Sequence, residues 1–144
     1  MDTIKKLKEA FSCNNQDKKE IMIEEIADQY EFGDLDKVEI IEGTNLLLSQ
    51  VILEKDEVFK ESILHAIHNA IVYHDVAVNV SLDILLPYCC SLSNENLSYV
   101  LAFLGFSGDD KYLSTLKKFQ GSADKTIRDT VKEAMAEIAY RSSI

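Results

Sequence analysis

Three histidines and a glutamate near the middle of the chain are residue types that commonly bind metal ions. His65 and His68 lie one helical turn apart, Glu61 lies one turn earlier, and His74 follows. A zinc site needs such a convergence of imidazole and carboxylate, together with a fourth ligand or a water molecule. The apolar residues of the same segment leave Glu61, His65 and His68 on its outer stripe. The sequence therefore predicts no metal or other cofactor, and His65 and His68 become candidates for contact with a protein partner.

The nucleophilic residue types do not form a catalytic pattern. Cys89 and Cys90 are adjacent, so they would point to different sides of a helix, and they lack the spacing of a redox or zinc pair. No glycine-rich phosphate loop occurs, and Gly105-Phe106-Ser107-Gly108 lacks the strand–turn context of a nucleophile elbow. The sequence therefore predicts a protein that is not an enzyme. Three cysteines without framework spacing fit a reducing compartment, which favours a cytoplasmic location.

Acidic residues are the most distinctive group, and they are concentrated in one part of the chain. The formal net charge of the 144 residues is −10. Residues 20–61 contain thirteen acids and three bases, whereas the other 102 residues are neutral in sum. Such a band repels nucleic acid and anionic membranes and attracts basic proteins. The sequence therefore predicts a basic protein partner, with no binding to nucleic acid or membranes.

The acidic band has two interpretations. It is either a solvated helix face with helix caps or a surface shaped for a basic partner. A solvated face usually interleaves lysines, but from Glu20 to Glu42 the only base is Lys37. Tyr30 and Phe32 are candidate apolar anchors beside the acids. The residues predicted to bind the partner are Glu20, Glu24, Glu25, Asp28, Tyr30, Glu31, Phe32, Asp34, Asp36, Glu39, Glu57, Glu61, His65 and His68.

The elements that must position these residues are helices. Five glycines and one proline are too few for the many turns of a sheet-rich fold. Apolar residues recur at helical spacing, as at Ile63, Ala66, Ile67 and Ala70. No uninterrupted apolar stretch approaches the roughly 20 residues of a membrane span. We expect an all-α fold of about nine helices forming one domain over residues 1–144.

Glycines and cap-type residues predict where these helices end and begin. Glycine favours helix C-termini, and aspartate or serine favours N-caps. We expect helices to end near Gly33, Gly43, Gly105 and Gly121 and N-caps at Asp34, Asp56, Ser93, Asp109 and Asp124. From Val76 to Ile84 apolar residues alternate as in a strand, but a single strand would have no partner. We therefore expect an extended connector from Asp75 to Val80 that runs into a helix near Ser81.

The later helices recur in pairs. Placing Phe59, Leu97 and Ile127 in register also aligns the apolar residues that follow them, at offsets of 38 and 30 residues. These offsets are near the length of a two-helix repeat, which cannot bury its apolar face without a neighbour.

The paired helices resemble HEAT-like repeats. In the last unit, Tyr112 to Leu116 is similar to the first helix of the family, Asp124 to its turn aspartate and Ile127-Arg128 to its apolar-Arg pair. Leu85-Leu86-Pro87 is similar to the kinked first helix of a middle unit. The resemblance covers roughly residues 44–144, and Ser98 and Lys60 depart from it where the family has arginine. It implies a right-handed α-solenoid of HEAT-like antiparallel helix pairs.

Size, charge and scaffold together resemble those of small acidic bacterial immunity proteins of contact-dependent growth inhibition systems. The resemblance implies a toxin-neutralising immunity protein that binds and blocks a basic toxin domain, such as a nuclease, through its acidic surface. The alternative is a HEAT-like adaptor or scaffold that binds another protein, with weak salt dependence, through the helix from Asp56 to His74. An enzyme using His65, His68 or Cys89 is a third hypothesis, for which the sequence offers only the bare residues.

Overall fold

The chain folds into helices joined by short connectors, as described over residues 2–143 by a computed structural model. That part of the chain contains no strand, so the prediction of an all-α fold is confirmed. Within residues 2–143 there are seven α-helices, one ten-residue 3-10 helix and two three-residue 3-10 turns, where about nine helices were expected. The α-helices are α1 Thr3–Ser12, α2 Gln16–Phe32, α3 Lys37–Val51, α4 Glu57–His74, α5 Asn94–Ser107, α6 Leu113–Lys118 and α7 Lys125–Ser142.

Most predicted N-caps lie where the sequence placed them. The Asp56 carboxylate accepts a hydrogen bond from the backbone N–H of Phe59 at 2.9 Å and so caps α4. Ser93, Asp109 and Asp124 cap the helices that follow them. The prediction for Asp34 is wrong, because α3 begins at Lys37 and the residue just before it, Asp36, is its N-cap.

One of the predicted helix ends is wrong. Gly33 does terminate α2, Gly121 follows α6, and α5 ends at Ser107, two residues after Gly105. Gly43 instead lies inside α3, and both Gly43 and Gly105 lie where another helix approaches closely. A Cβ atom at Gly105 would lie 2.7 Å from Cα of Ala134. These two glycines therefore make room for packing.

The segment with alternating apolar residues is not a strand. Asp75 adopts the left-handed conformation at the end of α4, with φ of 53°. A short 3-10 turn, Ala77–Asn79, interrupts the expected extended connector, and the 3-10 helix Leu82–Ser91 begins beside Ser81, as predicted. Pro87 lies inside this 3-10 helix. Proline has no backbone N–H, so one of the hydrogen bonds that an α-helix would need at this point cannot form.

Helices α2, α4, α5 and α7 pack side by side in that order, and we call these four the long helices, although α3 at 15 residues is longer than α5 at 14. Their side chains show that they run in the same direction. Tyr73 donates to Glu31 at 3.0 Å near the ends of α4 and α2, and Asn96 donates to Glu57 at 3.0 Å near the starts of α5 and α4. Asn94 at the start of α5 donates to Asp124, the N-cap of α7, at 3.3 Å.

The remaining elements pack on the long helices. Helix α1 contacts α2 and α3, α3 contacts α4 and the 3-10 helix Leu82–Ser91, and α6 contacts α7. The apolar residues predicted at helical spacing form the core, with Ile23, Ile63, Leu101 and Val131 all fully buried. The outward sides of the long helices are left free for other roles. Within residues 2–143, none of the helices combines the length and the apolar character that crossing a bilayer requires.

Candidate functional site

The outward sides of the four long helices form one continuous surface, which we call the long-helix face. Helix α4 contributes Glu61, His65 and His68, which are predicted site residues spaced by about one helical turn. Helix α5 contributes Tyr99 beside them. The acids of α2 lie on the other flank of α4. The long-helix face is defined by Glu24, Glu31, Glu61, His65, His68, Tyr99, Phe106, Glu133 and Glu137.

Direct contacts join the stripes of α2, α4 and α5. His65 Nδ1 lies 3.3 Å from the Glu24 carboxylate, which brings α4 and α2 together. The rings of His68 and Tyr99 pack edge to face with 5.7 Å between their centroids. The structure therefore brings the predicted residues Glu24 and His65 into contact and places Tyr99 beside His68.

The electrostatic environment of Tyr99 reflects the acids around it. Partial burial raises the pKa of Tyr99 above its usual value, and the negative charges of Glu61, Glu24 and Glu95 raise it further. These carboxylates come from α4, α2 and α5, which are distant in sequence but adjacent in the fold. This part of the face is therefore negative, and protonation of the phenol is favoured there.

Two acids of α7 extend the face beyond the predicted band. Glu133 and Glu137 line a cleft of about 190 Å³ together with Ala102 and Phe106 of α5. Their spacing of four residues is the signal that could have identified them, because it places both on one side of a helix. Sequence reasoning missed them because it considered only the net charge of the residues outside 20–61, where acids and bases cancel.

Three bases of α7 lie on a different side of the same helix. Arg128 and Lys132 line a separate depression with Gln120 and Asp129. Lys125, Arg128 and Lys132 follow one another at three and four residues, which makes a second stripe. The net charge of α7 is therefore near zero although one side of the helix carries acids and another side carries bases.

Arg141 is the one base of α7 that reaches the long-helix face in the described part of the chain, and acids of the protein bind it. Its Nε donates to Glu137 and its terminal nitrogen donates to Asp75, both at 2.8 Å. Its guanidinium lies 5.7 Å from the centroid of the Phe106 ring. The positive charge of Arg141 is therefore already compensated.

Two predicted acids lie on the side of α1 and not on the long-helix face. Glu25 forms an ion pair with Lys6 of α1. Glu39 accepts a hydrogen bond of 2.7 Å from the Thr3 hydroxyl. Their partners belong to the protein itself, so the band of residues 20–61 is divided between two sides of the molecule.

Other predicted acids serve the helix ends or lie beside the face. Asp36 caps α3, and Glu57 accepts hydrogen bonds from Lys60 and from Asn96. Asp34 is exposed in the connector between α2 and α3. Glu20 and Asp28 lie four residues before and after Glu24, so they share its stripe of α2.

The two predicted aromatic anchors differ in exposure. Tyr30 is fully buried, so its assignment to a contact surface is wrong; it packs in the core between α2 and α3. Phe32, at the end of α2, is 79% exposed. Sequence reasoning missed three other exposed side chains on α4, Val58 at 63%, Val72 at 40% and Tyr73 at 52%. Exposed apolar groups therefore accompany the acids on the long helices.

The histidines are engaged by protein groups. Besides the contacts of His65 and His68, His74 Nε2 lies 2.6 Å from the backbone carbonyl oxygen of Tyr30. Within residues 2–143, no group of three or more histidine, cysteine, aspartate or glutamate side chains is arranged to hold a metal ion.

The long-helix face offers carboxylate acceptors next to aromatic rings and exposed apolar groups, an arrangement suited to binding cationic groups. Glu24, Glu61 and Tyr99 form its centre. Comparison with protein-family models, curated proteins and solved structures gives no match for the chain.

Proposed function

We propose that the protein is a non-enzymatic binding module that captures a basic protein partner through the long-helix face. The observation that carries this proposal is the sorting of charge. Glu24, Glu61 and Glu133 lie on one face although they belong to three helices, while Arg128 and Lys132 lie elsewhere. Gathering like charges costs stability, and a basic partner would offset that cost.

Within this role, we propose a cytoplasmic, toxin-neutralising immunity protein whose partner is a nuclease toxin domain. A nuclease domain is commonly basic because it binds phosphates, so an acidic face can occupy its substrate site. Support comes from the resemblance in size, charge and scaffold to immunity proteins of contact-dependent growth inhibition. Helices α2, α4, α5 and α7 pack side by side in one direction, and a shorter helix precedes each of them. This arrangement supports a HEAT-like solenoid as the scaffold, for which we propose the right-handed form.

Electrostatic attraction would act mainly on the rate of association. Complementary charge raises association rates to roughly 10⁸ M⁻¹s⁻¹ or more at low salt, against about 10⁵–10⁶ M⁻¹s⁻¹ without it. Added salt screens charges beyond about 10 Å at 0.1 M and removes most of this advantage. A steep fall of the association rate with salt is therefore the expected signature.

The proposal expects an adjacent gene that encodes a large secreted protein with a basic C-terminal domain, and the test uses that domain as the partner. We expect the double variant Glu24→Lys, Glu61→Lys to slow association about tenfold or more at low salt and to flatten the salt dependence, as followed by stopped-flow fluorescence. The matched control Glu9→Lys, Glu42→Lys makes the same change in net charge on α1 and α3. Equal rates for the two double variants would contradict the proposal.

A HEAT-like adaptor without a basic partner is the second candidate function. The exposed Val58, Val72 and Tyr73 on α4 favour it, since exposed apolar side chains can bind a neutral partner. This function predicts that association hardly changes with salt or with the lysine substitutions. It also predicts that Val58→Ser and Tyr73→Ser weaken binding.

A further inference from the structure

A cleft of about 230 Å³ opens on the long-helix face where α2, α4 and α5 meet. Within the described residues, its lining contains no lysine or arginine. The Glu24 carboxylate contacts His65 Nδ1 at 3.3 Å and keeps further acceptor capacity, since each carboxylate offers two oxygens. The lining residues are Glu24, Val58, Glu61, Ser62, His65 and Tyr99.

The Tyr99 ring is fixed by its neighbours. It packs against the His68 ring at 5.7 Å and against the Phe103 ring at 6.4 Å, so two helices hold it in place. Glu24 and Glu61 lie at the same cleft, from α2 and α4. A held aromatic ring with two nearby carboxylates suits a planar cation, which stacks on the ring and donates hydrogen bonds to the acids.

The protein already binds one arginine with the same combination of groups. Phe106 lies two helical turns after Tyr99 on the same stripe of α5. The guanidinium of Arg141 lies 5.7 Å from the Phe106 centroid while its Nε donates to Glu137 at 2.8 Å. The face therefore repeats an aromatic ring and a carboxylate, and one repeat holds a guanidinium.

We infer that the cleft at Tyr99 binds an arginine side chain of the partner, with its guanidinium stacked on Tyr99 and hydrogen-bonded to Glu24 and Glu61. The inference rests on the proposed function and narrows it to one contact. Arginine is preferred to lysine because a flat guanidinium stacks on a ring and meets two carboxylates at once. Val58 beside the cleft offers an apolar contact for the alkyl stem.

The experiment titrates the whole chain with N-acetyl-arginine amide at fixed pH and low salt. Ring resonances of Tyr99, His65 and His68 are followed by NMR. We expect saturable shifts with a dissociation constant in the millimolar range, weaker binding of N-acetyl-lysine amide and no shifts with neutral N-acetyl-citrulline amide. Equal shifts from the lysine or citrulline compounds would overturn the inference.

Matched variants locate the contact. Tyr99→Leu and Glu61→Gln are expected to weaken binding about threefold to tenfold, whereas Tyr99→Phe keeps the ring and keeps binding. Glu42→Gln removes the same charge on α3 and should leave binding unchanged. If Tyr99→Leu fails to fold, Glu61→Gln keeps the inference falsifiable, because it leaves the ring in place. Equal affinities for Glu61→Gln and Glu42→Gln would reduce the effect to general attraction by an acidic protein and overturn the inference.

This result is separable from that for the proposed function. The titration needs no protein partner, and the salt dependence of association of the unsubstituted protein reports on the charge of the whole face. Loss of arginine binding with unchanged salt-dependent association would refute only the cleft. Arginine binding without salt-dependent association would support the cleft and refute the basic-partner mechanism.

Discussion

At the scale of single residues, a glycine and a tyrosine depend on each other in the core between α2 and α3. A Cβ atom at Gly43 would overlap the hydroxyl oxygen of Tyr30. That hydroxyl is buried, and no hydrogen-bond partner occupies its surroundings in the described part of the chain. Burial, and next the negative charge of Glu39, raises the pKa of Tyr30, so the phenol stays protonated well into the alkaline range. Gly43 therefore makes room for a polar group that gains no hydrogen bond.

A double-mutant cycle tests this dependence. We expect Gly43→Ala to lower the free energy of unfolding by about 1–3 kcal/mol, because the core must absorb a new overlap. Tyr30→Phe should change it by less than about 1 kcal/mol, since the lost hydroxyl had no partner. In the Tyr30→Phe background most of the alanine cost should disappear, giving a coupling of about 1 kcal/mol or more in urea unfolding. Additive effects would show that the contact does not limit α3.

At the scale of helices, close packing of α5 on α7 supports the far end of the long-helix face. Gly105 faces Ala134, and a Cβ atom there would lie 2.7 Å from its Cα and 2.8 Å from its Cβ. Both residues lie at the floor of the cleft bordered by Glu133 and Glu137. The small residues therefore set the distance between the two helices.

Alanine at position 105 is expected to destabilise the protein although alanine is the better helix former. Helix propensity alone would favour Gly105→Ala by about 1 kcal/mol. The overlap with the backbone of α7 should reverse the sign and cost about 1–3 kcal/mol in urea unfolding. Gly121→Ala is the matched control, since nothing lies within 4 Å of its Cβ position and its φ is not positive. A gain of stability in Gly105→Ala would contradict the close approach.

The helices also show which features the sequence could predict. Asp56, Ser93 and Asp124 were identified as N-caps because a cap depends on residues within one helical turn. Gly43 was misassigned as a helix end, and the packing role of Gly105 was missed, because these roles depend on Tyr30 and Ala134, which lie in other helices. Local chemistry was therefore predictable, and contacts between distant segments were not.

At the scale of the whole molecule, the candidate site also has a part that local sequence predicted and a part that depends on contacts between distant segments. The excess of acids in residues 20–61 was visible in the sequence, but its division between two sides was not. Glu24 faces His65 of α4, whereas the next residue, Glu25, pairs with Lys6 of α1. Glu133 joins the face only because α5 brings α7 beside it. Part of the net charge of −10 therefore lies on one acidic face, which has its centre at Tyr99.

This distribution predicts opposite effects of one chemical change at two positions. Glu61→Gln removes a charge that lies near other acids, so it should raise the free energy of unfolding by a few tenths of a kcal/mol at low salt. Glu25→Gln removes the partner of Lys6 and should lower it by a similar amount. Both effects should shrink in about 1 M salt, where the screening length falls to about 3 Å. Urea unfolding at the two salt concentrations measures the difference.

The same variant separates a binding face from a solvated one. If the acids serve only solubility, Glu61→Gln should stabilise the protein and leave the binding of a basic partner unchanged. If they form a binding surface, Glu61→Gln should raise the free energy of unfolding and lower the affinity for the partner. The reason is that repulsion among the acids persists in the free protein and is relieved only when a basic partner binds. Measuring unfolding and partner dissociation on the one variant therefore decides between the two roles, and a stabilised variant with undiminished affinity would assign the charge to solvation.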